Sequence, residues 1–192
     1  MKKQIRKSSL LIAILFITLI SCKEKTPTRD EIVKNNVEKY LKDKMDDPKS
    51  YEFVELRLVD SILYKDNVKY RKDGFQKDLK YEKGNLEYQE KNKDEKMVIE
   101  LKTKIERIEN ILTKIDSLEY NLGQKLNDVA SYTYNFRCRG NNKLGAKILT
   151  EYILQTNPSP DFKVINLTDN QDKVFLNPND FPGYREMISK FY

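Results

Sequence analysis

From Asp94 to about Gly123 an apolar stripe returns at helical intervals: Val98, Leu101, Ile105, Ile108, Leu112 and Ile115 step by three, four, three, four and three residues. Leu118, Leu122 and Leu126 resume the seam after a slip, so the spacing predicts one long, heptad-patterned helix. Such a helix leaves its apolar stripe in water unless another element covers it. The candidate cover lies upstream, where Leu63, Tyr64, Val68, Phe75, Leu79, Leu86 and Tyr88 recur at near-helical intervals. An antiparallel, coiled-coil-like hairpin over about residues 60–127, turning near Asn92, follows from the two patterns. Gly74 and Gly84 each weaken the upstream helix by about 1 kcal/mol, and a competing reading makes 68–71 and 79–82 short strands. Pairing within one chain and pairing across two identical chains satisfy the same seam.

The flanks read as an α+β domain. Thr28-Arg29-Asp30-Glu31 has the form of a capping box, and Ile32, Val33, Val37, Tyr40, Leu41 and Met45 continue at spacings of a helix that Asp47-Pro48 stops. Tyr51 to Val59 reads as a strand. After Asp128 the period becomes two: Ala130, Tyr132, Tyr134, Phe136 and Cys138 alternate with polar residues, the pattern of a half-buried antiparallel strand. A turn is expected at 139–143, a strand over 146–155, a loop at 157–161 and a strand over 162–167. Pro182 suits the first turn of a short terminal helix carrying Tyr184, Met187, Ile188 and Phe191. The expected whole, over 28–192, is an N-terminal helix packed on a small antiparallel meander of about four strands. The helical hairpin is inserted after the first strand, and a short helix ends the chain.

The start of the chain carries a different message. Lys2, Lys3, Arg6 and Lys7 precede an apolar run from Leu10 to Ile20, about eleven residues, the length of a secretory signal and too short to span a bilayer. Leu19-Ile20-Ser21-Cys22 resembles a bacterial lipoprotein signal, which implies a signal peptide over 1–21, a tether over 22–27, and a diacylglyceryl thioether with an acylated (palmitate-type) amino group on Cys22. A secreted protein with a cysteine there by chance is the alternative. The formal charge of the whole chain is +6, but the first 21 residues hold four Lys/Arg and no acid, so about +2 remains. With the charges of both signs interspersed, a nucleic-acid partner is not expected.

The chain has no histidine, which removes Ser-His-Asp and Cys-His catalysis, imidazole general bases and His-containing zinc sites. Only two cysteines are present; with Cys22 on lipid, Cys138 has no partner within the chain. Its alternation with Tyr132, Tyr134 and Phe136 makes it a small buried hydrophobe, or a reactive thiol beside Arg137 and Arg139 if exposed. No nucleotide-binding loop is recognisable. Asp161, Asp169, Asp172 and Asp180 gather near the C-terminus, where capping and turn roles compete with carboxylate chemistry, and Asp169-Asn170-Gln171-Asp172 lacks the spacing of a calcium loop. No cofactor and no metal are expected, and no catalytic residue. Twelve tyrosines suit a binding face; Tyr132, Tyr134, Arg137, Arg139 and Asn141 are the candidate contact residues.

Asp47-Pro48-Lys49-Ser50-Tyr51-Glu52-Phe53 and Arg139-Gly140-Asn141-Asn142-Lys143-Leu144-Gly145-Ala146 resemble segments of uncharacterised small lipoproteins of Bacteroidota-type bacteria. The resemblance carries no activity; it implies a cell envelope with an outer membrane as the anchoring site, and Lys23 is compatible with that. The leading expectation is a non-enzymatic envelope lipoprotein. Its hairpin would reach away from the membrane to a protein partner or another copy. A small-ligand or glycan-binding module on the aromatic sheet face and a carboxylate-dependent hydrolase are the alternatives.

Overall fold

The computed structural model describes residues 26–192, so the signal segment and Cys22 lie outside the described residues. Helix α1 (Arg29–Lys42) starts on the expected capping box: Glu31 N–H donates to Thr28 Oγ1 at 3.3 Å, and Thr28 N–H donates to Glu31 Oε2 at 2.7 Å. It ends sooner than its apolar spacing suggested, because its last turn tightens, with Lys44 N–H bonding the Leu41 carbonyl at 2.8 Å. Met45 therefore lies past the helix, and Pro48–Ser50 form one 3-10 turn that delivers the chain to strand β1 (Glu52–Leu63).

Strand β1 passes without a loop into helix α2 (Tyr64–Asn92), 29 unbroken residues, so 68–71 and 79–82 are helix and not short strands. The two glycines are carried by the helix around them. Lys93 takes a left-handed conformation (φ 60°), Asp94 caps by accepting from Met97 N–H at 3.1 Å, and helix α3 (Glu95–Leu122) returns alongside α2. A 3-10 turn, Gly123–Asn127, leads to β2 (Val129–Asn141), followed by β3 (Lys147–Thr156) and β4 (Val164–Thr168). All neighbours are antiparallel in the order β1-β2-β3-β4. A five-residue helix α4 (Tyr184–Ile188) completes an α+β fold whose hairpin is inserted between the first two strands.

Two further elements differ from their expected bounds. Arg139 to Asn141 belong to β2, and the tight turn falls three residues later: Asn142 Oδ1 accepts from the N–H groups of Leu144 and Ala146, and Gly145 takes φ 79°. Pro182 stands outside the last helix, which is capped by Gly183 at φ 82°.

One core lies between α1 and the sheet, where Val33, Val37 and Leu41 meet Tyr134, Phe136, Cys138 and Leu154. The second sits at the root of the hairpin, where Val68, Ile111 and Ile115 are covered by Phe181, Tyr184 and Met187 from the C-terminal segment. That cover explains a shift in the seam. Ile111, absent from the heptad reading, is fully buried, whereas Leu112 is half-buried, because the root of α3 packs on two neighbours at once. A straight helix of 3.6 residues per turn also drifts from a strict seven-residue repeat.

Candidate functional site

The five candidate contact residues divide between the two faces of β2. Tyr132 and Tyr134 point toward α1: the Arg29 guanidinium lies 5.3 Å from the Tyr132 ring centroid and 6.0 Å from that of Tyr134. Tyr134 is fully buried, and burial pushes its phenol up to about 12. The aromatic face is thus occupied by α1. Its rings pack on one another instead of on solvent, Phe136 against Phe53 and Tyr152, and Tyr132 against Tyr134 and Phe162.

Arg137 and Arg139 emerge on the opposite face, and both are already paired. Arg137 lies between Glu55 at 3.3 Å and Glu151 at 2.9 Å, its direct neighbours on β1 and β3. Arg139 and Lys147 both reach Glu52, at 2.8 and 2.7 Å, and the two hydrogen bonds hold that carboxyl below the usual range. This face is a ladder of alternating charge. Such exposed pairs each contribute little to stability, and they neutralise the cations an anionic ligand would need.

Asn141 has a structural occupation. Its backbone N–H donates to Ser50 Oγ at 2.8 Å and its side-chain amide to Asp47 Oδ2 at 2.9 Å. Beside it, a Cβ on Gly140 would stand 2.5 Å from Met45 Cε, so the helix-exit loop lies directly against the strand. The turn that ends α1 is therefore latched onto β2, and segments 47–53 and 139–141 meet there.

Cys138 is buried within the α1 core, and burial raises its thiol pKa, the opposite of an activated nucleophile. Asp180 accepts from Arg71 Nε and Nη2 at 2.9 and 2.7 Å, and Asp169-Asn170-Gln171-Asp172 forms a turn in which Asn170 Oδ1 accepts from Asp172 N–H at 2.8 Å. Among the described residues no group of three acidic or cysteine side chains is placed to hold a metal ion.

The hairpin seam closes on itself. Leu101, Ile105 and Ile108 are buried along α3, and the one charged residue buried among them, Glu82 of α2, is met by Lys104 and by Asn85. Ion pairs Lys83–Glu109 at 2.8 Å and Lys102–Glu90 at 3.1 Å bridge its edges. What the arm offers to its surroundings is consequently its outer surface. On α2 this bears Tyr70, Tyr81 and Tyr88, exposed by 48%, 67% and 63%. Spacing alone would set Tyr88 in the inner seam; it lies on the opposite side, in register with the other two.

No family model matches this chain, and comparison with curated proteins and with solved structures found no match.

Proposed function

We propose that this protein is a non-enzymatic cell-envelope lipoprotein, held at the outer membrane by lipid on Cys22, whose helical hairpin is a binding arm for protein. The observation that carries the reading is the arm: two helices of 29 and 28 residues, a length of roughly 40 Å at 1.5 Å per residue. The C-terminal segment braces it as far as Arg107, which lies 5.4 Å from the Tyr192 ring centroid. Beyond that level the helices pair with each other, Glu82 with Lys104 and Glu90 with Lys102. A helix pair continued past the body that supports it, sealed within and tyrosine-bearing outside, suits contact with another macromolecule. The lipoprotein signal supports the anchor, and no described helix is long and apolar enough to cross a membrane.

Two variants test the parts separately. Cys22→Ala should move the protein from the membrane fraction to the soluble fraction, and an unmodified Cys22 thiol in the mass spectrum of the native protein would remove the anchor from the reading. Excision of residues 84–104, with a short turn joining the helices, should preserve the sheet and root while abolishing cross-links to neighbours in intact cells. An unchanged cross-linking pattern would refute the arm.

A further inference from the structure

Six residues form a line along the outward face of α2: Tyr70, Gly74, Lys77, Tyr81, Gly84 and Tyr88, at intervals of four, three, four, three and four. This is a second heptad stripe, on the side of the helix away from Val68, Leu79 and Leu86, and all six residues are exposed. Its glycines have no explanation inside the chain. A Cβ at Gly74 or Gly84 would meet nothing within 4 Å, although a glycine in an exposed helix interior is about 1 kcal/mol less favourable than alanine. Over the first of them lies a depression of about 390 Å³ lined by Tyr70, Gly74, Lys77 and Tyr184 among others. Bare backbone between tyrosines is what another backbone or ring can approach closely.

The stripe also specifies its occupant, because it is nearly the same read in either direction from the level of Leu79. Tyr70 and Tyr88 stand nine residues to each side, Gly74 and Gly84 five, Lys77 and Tyr81 two. A two-fold contact between identical helices sets each residue against the one equally far on the other side. We propose that the outward face of α2 binds a second copy of this chain, antiparallel, about a two-fold axis at the level of Leu79. Tyr70 then meets Tyr88 of the second copy, the glycines face each other where the helices come closest, and the Lys77 ammonium lies over the Tyr81 ring.

The flanking charges agree. Asp66 and Lys91 stand thirteen and twelve residues from the axis, and Lys69 and Glu87 ten and eight, so each unlike pair comes within about 3 Å of level register. Symmetry makes each pair twice. Lys80, next to the axis, faces its own copy, an exposed repulsion that salt screens. The inference rests on reading the hairpin as a binding arm and names what the arm binds.

Cross-linking of the full-length lipidated protein in detergent tests the register. Asp66 and Lys91 lie 25 residues apart on one helix, roughly 37 Å at 1.5 Å per residue, so a disulfide between them can form only between molecules. Mixing Asp66→Cys chains with Lys91→Cys chains should give a linked dimer, and neither variant alone should. Absence of the mixed product, or equal linking of Asp66→Cys chains with themselves, overturns the arrangement. Gly74→Leu and Gly84→Leu should each keep or raise the thermal midpoint, yet weaken self-association by about tenfold or more, as for a lost close contact at an interface centre. Unchanged association in both variants refutes the surface. A protein that sediments as a monomer at every concentration while its arm still cross-links to a different envelope protein overturns self-association alone; loss of both contacts overturns the arm as well.

Discussion

Asn141 holds the exit of α1 against β2 with its backbone N–H and its side-chain amide, and both bonds go to the turn at 47–50. Asn141→Ala removes the Asp47 bond, and a part-buried hydrogen bond of this kind is worth about 1 kcal/mol, somewhat more to a charged acceptor. Urea unfolding should show that loss as a lower midpoint with an unchanged slope. In the sequence the same residue passes for a binding contact, because a polar side chain beside a glycine looks alike whether it serves a ligand or a loop; only the fold brings Asp47 to it. Tyr134 and Cys138 were more legible, since period-two alternation identifies a buried face without naming what buries it. Their burial has an alkaline consequence. The Tyr134 phenol, ordinarily near 10, is pushed up to about 12, and Tyr51, Tyr152 and Tyr184 are raised by burial as well. The folded state favours the neutral phenols, so this stabilisation is complete below pH 10 and drains away as pH rises through about 12. Tyrosinate absorbance from these four should appear together with loss of near-ultraviolet dichroism, and not before it.

The hairpin shows what periodicity conveys about an element and what it omits. Its length, its partner helix and a turn near Asn92 are all legible in the apolar spacing, because a long seam repeats its signal many times; the break itself falls at Lys93 and Asp94. Ile111 and Glu82 are not legible there. Ile111 is buried by the distant C-terminal segment, and Glu82 occupies an inner position that no hydrophobic pattern reserves for a charge. Glu82 is kept there by Lys104, whose own side chain is about half exposed. Lys104→Ala should leave a carboxylate stranded in the seam and destabilise by on the order of 2 kcal/mol. Replacing both, Glu82→Leu with Lys104→Leu, should be neutral or stabilising. A calorimetric double-mutant cycle reads the difference, and equal losses in the two variants would dismiss the ion pair as a seam element.

At the scale of the whole molecule, the last sixteen residues hold the hairpin to the sheet. Asn179 donates to the Ala130 carbonyl of β2 at 3.0 Å, its own carbonyl accepts from the buried Asn67 of α2 at 2.8 Å, and Phe181 fills the root. The spacing of Tyr184, Met187, Ile188 and Phe191 announces a short helix here but not what it serves, since neither hydrogen bond lies near in the chain. Phe181→Ala should cost about 3 kcal/mol. Faster amide hydrogen exchange should then extend to both β2 and the root of α2, while loosening confined to residues 177–192 would show that the segment is an appendage.

The described chain also begins close to where the arm begins. Arg29 rests on Tyr132, which is paired with Ser61 only two residues before β1 gives way to α2. From Thr28 back to Cys22 there are six residues, at most about 20 Å of extended backbone. If fatty acyl chains are seated at Cys22, the root of the arm is leashed to the headgroups and cannot be carried out beyond the far side of the sheet like a flag on a mast. Two such molecules with the symmetry axis along the bilayer normal would both face their leashes toward the same leaflet and lie side by side upon it, a raft of paired spars moored at both ends.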